Sequence, residues 1–230
     1  MKNLRQYKTA AFSFLLLLII VVAGTGCSKK ANGPYYTAEY STTFKDNIYM
    51  YLKQQPAGHF DSLLLVLDRV PAIKDSLQHQ SGISFFAIDN SSFATALKGL
   101  NQVRALQSKP ALSLSTIDQK HLDTLLCRYV LSSAVNIDSL TQYFEGLNFP
   151  SLRYGYTMKV IYNKKSAGGY VQGGPLELSF VDIKNSIFSR FWVTTFTVVS
   201  GINASNGIVF DLSPGHVFGF GEFLSRLLNT

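Results

Sequence analysis

Hydrophobic spacing changes period near the middle of this 230-residue chain, and that change restricts the available folds more than any other feature. In the first half, Phe60, Leu63, Leu64 and Leu67 recur at i, i+3, i+4 and i+7, one face of a helix. Leu122, Leu125, Leu126, Tyr129 and Val130 repeat the pattern, with Thr116 and Gln119 placed as a capping box ahead of them. Pro71 closes or restarts the first segment, and Asn90 can cap a short helix that carries Phe93 and Leu97 and stops at Gly99. Beyond residue 155 the period becomes two. Tyr156, Met158, Val160 and Tyr162 alternate with Thr157, Lys159, Ile161 and Asn163, and Leu176, Leu178 and Phe180 alternate with Glu177 and Ser179. Phe191 to Val199 is rich in β-branched and aromatic residues, while Gly168-Gly169 and Gly173-Gly174-Pro175 supply turns. Helices first and strands later, without βαβ alternation, predict an α+β fold.

Residues 1–26 read as a secretory signal. Lys2, Arg5 and Lys8 form a basic start, an apolar run follows from Ala10 to Ala23, and Gly24-Thr25-Gly26 precedes Cys27. The run is short of the ~20 residues that span a bilayer. Small residues ahead of a cysteine resemble the lipobox of bacterial lipoproteins, with Gly24 where an aliphatic residue is usual. The resemblance implies lipidation of Cys27, with several acyl chains anchoring where one would be marginal. Ser28 rather than Asp follows, which points to the outer membrane of a Gram-negative envelope. Residues 27–41 are then a polar tether, and 42–230 a single domain.

Charge narrows the partners. The formal balance is +7, but Lys2, Arg5 and Lys8 leave with the signal, so 18 positive residues remain against 14 negative, a balance of +4. That residue is mild and dispersed, and Lys164-Lys165 is a hairpin-tip pair rather than a patch, so nucleic-acid binding is not expected. With Cys27 lipidated, Cys127 has no partner and reads as a small core residue. His59, His79, His121 and His216 are scattered, no His-Glu-x-x-His or Gly-x-Ser-x-Gly is present, and no metal-ligand spacing occurs. The chain therefore reads as non-enzymatic, with no cofactor.

One triplet recurs. Asp61-Ser62-Leu63, Asp75-Ser76-Leu77, Asp123-Thr124-Leu125 and Asp138-Ser139-Leu140 each read acid, hydroxyl, apolar. The pattern resembles an O-glycosylation sequon of some Gram-negative bacteria, which would make Ser62, Ser76, Thr124 and Ser139 acceptors. Helix-start chemistry, with Asp capping and Leu turned inward, accounts for it equally well.

Three segments resemble the fasciclin domain family. Ser84 to Phe93, Ser-Phe-Phe-Ala-Ile-Asp-Asn-Ser-Ser-Phe, is similar to the family's Thr-Val-Phe-Ala-Pro-Thr-Asn-x-Ala-Phe, with Phe86, Ala87, Asn90 and Phe93 matching. Leu125 to Val130 resembles Leu-Leu-x-Tyr-His-Val, with Arg128-Tyr129 in place of Tyr-His. Asn206-Gly207-Ile208-Val209 resembles the start of Asn-Gly-Val-Ile-His-Val-Ile-Asp, with Phe210 at the histidine position. The resemblance implies a twisted β-sandwich or wedge with helices packed along one edge. It also implies adhesion or protein/matrix binding at the envelope. The alternative is an accessory subunit that binds polysaccharide or docks on an outer-membrane glycan-uptake complex. Phe86 and Phe93 are expected to bury on either side of a strand-to-helix turn, Asn90 to satisfy the first helix amides, and Asn206-Gly207 to form a positive-φ turn before the last core strand.

Overall fold

Ser-Phe-Phe-Ala between Ile83 and Ile88 is a short continuous apolar run, the pattern of a strand covered on both faces. The computed structural model, which describes residues 42–164, 176–198 and 201–230, places it at the heart of the molecule. Strand β2 (Ile83–Ala87) is buried at all five positions. It lies inside a five-stranded sheet with β1 (Thr42–Thr43), β3 (Val130–Leu131), β8 (Ile202–Ala204) and β9 (Gly207–Asp211), in the order β1-β8-β9-β2-β3. Its pairing with β9 is parallel, from Ile83↔Gly207 to Ala87↔Asp211. The second sheet is antiparallel throughout and runs β4 (Leu147–Pro150), β5 (Thr157–Lys164), β6 (Leu176–Asp182), β7 (Val193–Phe196).

The sheets meet through aromatic rings. Phe86 of β2 stacks on Phe180 of β6 with centroids 3.7 Å apart and on Phe210 of β9 at 5.0 Å. Tyr129, Phe218 and Phe220 extend the layer. Isolated bridges at Leu131↔Ser151 and Thr197↔Leu212 tie the sheets together at two corners.

The helices come mainly from the first half. They are α1 (Ile48–Lys53), α2 (Asp61–Arg69), α3 (Pro71–His79), α4 (Asn90–Leu106), α5 (Gln119–Leu126) and α6 (Ile137–Leu140), with α7 (Glu222–Leu227) near the end. The α+β architecture, helical early and strand-rich late, is the one the period change predicts. Pro71 begins α3 at its first turn, where its missing N–H leaves no helical bond unmade. Leu63, Val66 and Leu67 of α2 and Leu122, Leu125 and Leu126 of α5 are buried.

Several local expectations differ from the structure. Helix α4 runs through Gly99 to Leu106. Its cap is Asp89, whose carboxylate accepts from the Ser92 amide, rather than Asn90. Likewise Asp118, not Thr116, caps α5 by accepting from Lys120 N, while Thr116 bonds within the preceding turn to Ser113. The apolar pattern after Leu126 leaves the helix through a 3-10 turn, Cys127–Tyr129, into β3. The glycine turns expected at 168–169 and 173–174, like the signal, Cys27 and the tether, lie outside the described residues.

Gly207 has a reason that a turn does not supply. Its φ is not in the left-handed region, but a Cβ there would sit 2.2 Å from the Ile83 carbonyl oxygen across the β2–β9 pair. Glycine is present because the two backbones approach too closely for any side chain. Gly207→Ala is therefore expected to lower the stability of the fold by at least ~2 kcal/mol, since the methyl must displace backbone. Urea unfolding of the variant beside the parent chain measures this, and an unchanged midpoint would contradict it.

Candidate functional site

The residues that carry the family resemblance converge on the β2–β9 pair. Phe86 and Ala87 end β2, and the Ala87 carbonyl accepts from the Leu212 amide just beyond β9. Phe93, one turn into α4, packs its ring 4.5 Å from that of Phe218. Asn206 precedes β9 and works as a clamp. Its side-chain oxygen accepts from the buried Ile48 amide at the start of α1, and its amide nitrogen donates to the Leu77 and Gln80 carbonyls at the end of α3. One side chain thus satisfies orphan groups at two helix ends.

Asn90 does a similar job for a different helix. Its oxygen accepts from the Ser62 amide in the first turn of α2, and its nitrogen donates to the Gly58 carbonyl. The amides it satisfies belong to α2, not to its own helix as expected. All six motif residues, Phe86, Ala87, Asn90, Phe93, Asn206 and Gly207, hold elements together.

The four acid-hydroxyl-leucine triplets all lie on helices, and Leu63, Leu77, Leu125 and Leu140 are all buried. Ser76 and Thr124 sit inside α3 and α5 and donate to the carbonyls four residues earlier, Ala72 and Lys120. Ser62 is half-buried in the first turn of α2. Ser139 in α6 is exposed. Cys127 is buried, and burial pushes its thiol up to about 12, so it is unreactive at neutral pH.

Three of the clusters of ionisable side chains among the described residues have a buried centre. Arg128, only 3% exposed, donates to Asp182 at 2.8 Å and to Glu222, and lies over the Tyr156 ring. Lys184 joins both carboxylates, at 2.9 and 3.0 Å. Burial alone would raise the Glu222 carboxyl, but hydrogen bonds from Arg128 and Lys184 prevail and take it down to about 2. This network fastens β6 and α7 to the turn before β3. It carries no signal in the sequence, because Asp182 and Glu222 lie 54 and 94 residues from Arg128.

Tyr129 occupies the second cluster. It is fully buried, and its hydroxyl accepts from the Gly219 amide at 2.8 Å and lies 2.7 Å from Nε2 of buried His216. In the third cluster, where β2 and β9 end, the Tyr51 hydroxyl donates to Asp211 at 3.2 Å. Burial raises the Asp211 carboxyl against the opposing pull of His59 and of the Tyr51 bond. Among the described residues, no group of three His, Cys, Asp or Glu side chains is arranged to hold a metal ion.

Among the described residues, one stretch of surface gathers exposed apolar side chains. Ile187, Phe188, Phe191, Val193, Phe196 and Val198 are all exposed within twelve residues at β7 and the segment leading into it. In the sequence the part from Phe191 reads only as strand, and the pattern does not reveal that much of it faces outward.

No protein-family model matches the chain, and no curated protein matches it. Among solved structures it is similar to a FAS1 domain pair from the insect cell adhesion molecule Fasciclin I, at 13% identity and a TM-score of 0.43. The match covers 69% of this chain and 44% of that one, so the chain spans less than half the length of the domain pair.

The Tyr129–His216 pair makes stability pH-dependent. Burial pushes the His216 imidazole from 6.5 down to about 4, against the pull of Asp89, so at neutral pH it is uncharged and shares a hydrogen bond with the Tyr129 hydroxyl. A depressed folded-state value means that the unfolded chain takes up the proton first as pH falls. The stabilisation is complete above pH 6.5 and is lost progressively between 6.5 and about 4, by roughly 2 kcal/mol at pH 5. Denaturant unfolding at pH 7.5 and 5 is expected to show this loss, and His216→Gln to reduce it. A parent chain and variant with the same pH slope would contradict the assignment.

Proposed function

We propose that this chain is a non-enzymatic, lipid-anchored envelope protein whose fasciclin-type domain mediates adhesion or binding to a protein or matrix partner. The observation that carries the reading is the meeting of the two signature segments. Residues 83–87 and 207–211, far apart in the chain, pair strand to strand, and Asn90 and Asn206 tie neighbouring helices to that pair. A motif used in this way builds a scaffold, which supports function through surface recognition rather than through the motif's own chemistry. The side chains best placed for catalysis also support a non-catalytic role. Arg128, Tyr129 and His216 are buried and committed to partners that join elements.

The lipid anchor rests on Cys27 following the apolar run and small residues of the leader. No helix of the described residues is long and apolar enough to cross a membrane. A Gram-negative host displaying the full chain is expected to incorporate a palmitate analogue into it and to adhere to immobilised matrix protein. Cys27→Ala is expected to abolish both. Label retained by the variant would overturn the anchor, and adhesion equal to that of cells lacking the chain would overturn the binding role.

Ser139 is the proposed glycan acceptor among the four triplets, because it alone is exposed and at the start of a short helix. Intact-mass measurement of the native protein is expected to exceed polypeptide plus lipid, and Ser139→Ala to remove one glycan mass. A native mass equal to polypeptide plus lipid would sink the idea.

A further inference from the structure

The outer face of the β4–β7 sheet has a chemistry of its own. The register sets Lys159, Val181 and Thr194 side by side across β5, β6 and β7, and strand alternation puts Trp192, Phe196 and Val198 on the same face as Thr194. Val181 is fully buried although it points away from the inter-sheet core. The Trp192 ring lies over this row, 5.2 Å from the Lys159 ammonium, and its indole N–H donates to the Ser186 carbonyl at 2.7 Å. That bond folds the segment before β7 back on itself. Phe188 and Phe191 on that segment stand 56% and 52% exposed, and the Arg190 guanidinium rests over both rings at 5.3 and 4.7 Å.

Charge on this surface favours an anionic partner. No acidic residue occurs between 183 and 210, while Arg190 has no acidic partner among the described residues. Glu177, next to Val198 by register, is already engaged, and Glu145 lies at the edge of the face, where its carbonyl accepts from Lys159. Exposed phenylalanines around an indole, with Arg and Lys beside them, match what settles at a membrane–water boundary. There the aromatic rings enter the headgroup level, and the cations reach the phosphates.

Chain direction supplies the second argument. Strand β1 runs parallel to β8 with Thr42 beside Ile202, so the preceding residues enter the fold at the same end as Ile202. Val198 is four residues from Ile202, at most about 14 Å along the chain. The 41 residues before Thr42 include the apolar run from Ala10 to Ala23 and the lipid-acceptor candidate Cys27. A chain held in a bilayer by that segment keeps the domain within reach of the lipid surface, at most about 50 Å along residues 28–41, so this exposed apolar face is able to meet it.

We infer that the face formed by β7 and the segment leading into it is a membrane-docking surface that seats Phe188, Phe191 and Trp192 in the headgroup region of an anionic phospholipid bilayer. The domain lies down on the membrane that anchors it. The inference needs the N-terminus to be membrane-held, by lipid or by the apolar run itself, and does not depend on the adhesion role.

Trp192 is the sole tryptophan of the whole chain and so reports on this face alone. The full chain is inserted through its native N-terminus into phosphatidylethanolamine–phosphatidylglycerol vesicles, with or without lipids brominated near the headgroup. The expected result is a two-fold or greater loss of Trp192 emission on brominated vesicles. Phe188→Ser with Phe191→Ser is expected to remove the quenching. Because both side chains are exposed, the variant keeps its unfolding midpoint, and Arg190→Glu gives partial loss on anionic vesicles only. Equal emission on plain and brominated vesicles overturns the proposal and leaves the face to a protein, a glycan or a second copy of the chain. Quenching that survives the double substitution overturns it too.

Discussion

Everything else in this molecule is arranged around the parallel pairing of β2 with β9. The two strands approach closely enough that the Ile83 carbonyl excludes a side chain at residue 207. That closeness puts Phe86 and Phe210 side by side in register and presents their rings to Phe180 of the other sheet. The aromatic layer between the sheets depends on this pairing, and so do the helix ends that Asn90 and Asn206 tie down. A parallel pair buried on both faces needs cover from both sides, which the second sheet and the early helices provide.

The Arg128 network solves a different problem. Helix α7 follows the aromatic run Phe218–Phe220 and is only six residues long, too short to be stable by its own hydrogen bonds. Its Glu222 reaches back to Arg128 and Lys184, so the end of the chain is held electrostatically as well as by Phe223 and Leu227. Such buried ion pairs contribute little net stability compared with apolar substitutes, but removing one member leaves the other charges uncompensated. The network therefore fixes where α7 sits more than how strongly it is held.

What could be read in the sequence follows from what periodicity encodes. The α+β order, the inward faces of α2 and α5, Pro71 at a helix start and strands β5 and β6 are local patterns, and they were legible. Roles that depend on distant partners were not. Asn90 looks like the cap of the helix it begins, because nothing near it reveals that Ser62 and Gly58 are its partners, 28 and 32 residues away. Gly207 beside Asn206 looks like a turn, since a glycine required by close strand approach and one required by backbone conformation are the same letter. The triplets repeat four times, and the buried leucines show that packing alone accounts for the third position. The exposed face of β7 is not legible in the sequence, because alternation identifies two faces of a strand without saying which is covered.

The pairing of β2 with β9 also sets a timetable. The central strand is made early in synthesis, but its partner begins more than a hundred residues later, at Gly207. Closing so long a loop is entropically costly and slow. Residues 88–206 are all made between the two partner strands, so the sheet closes only after them. Until then β2 has β3 on one edge and no partner on the other.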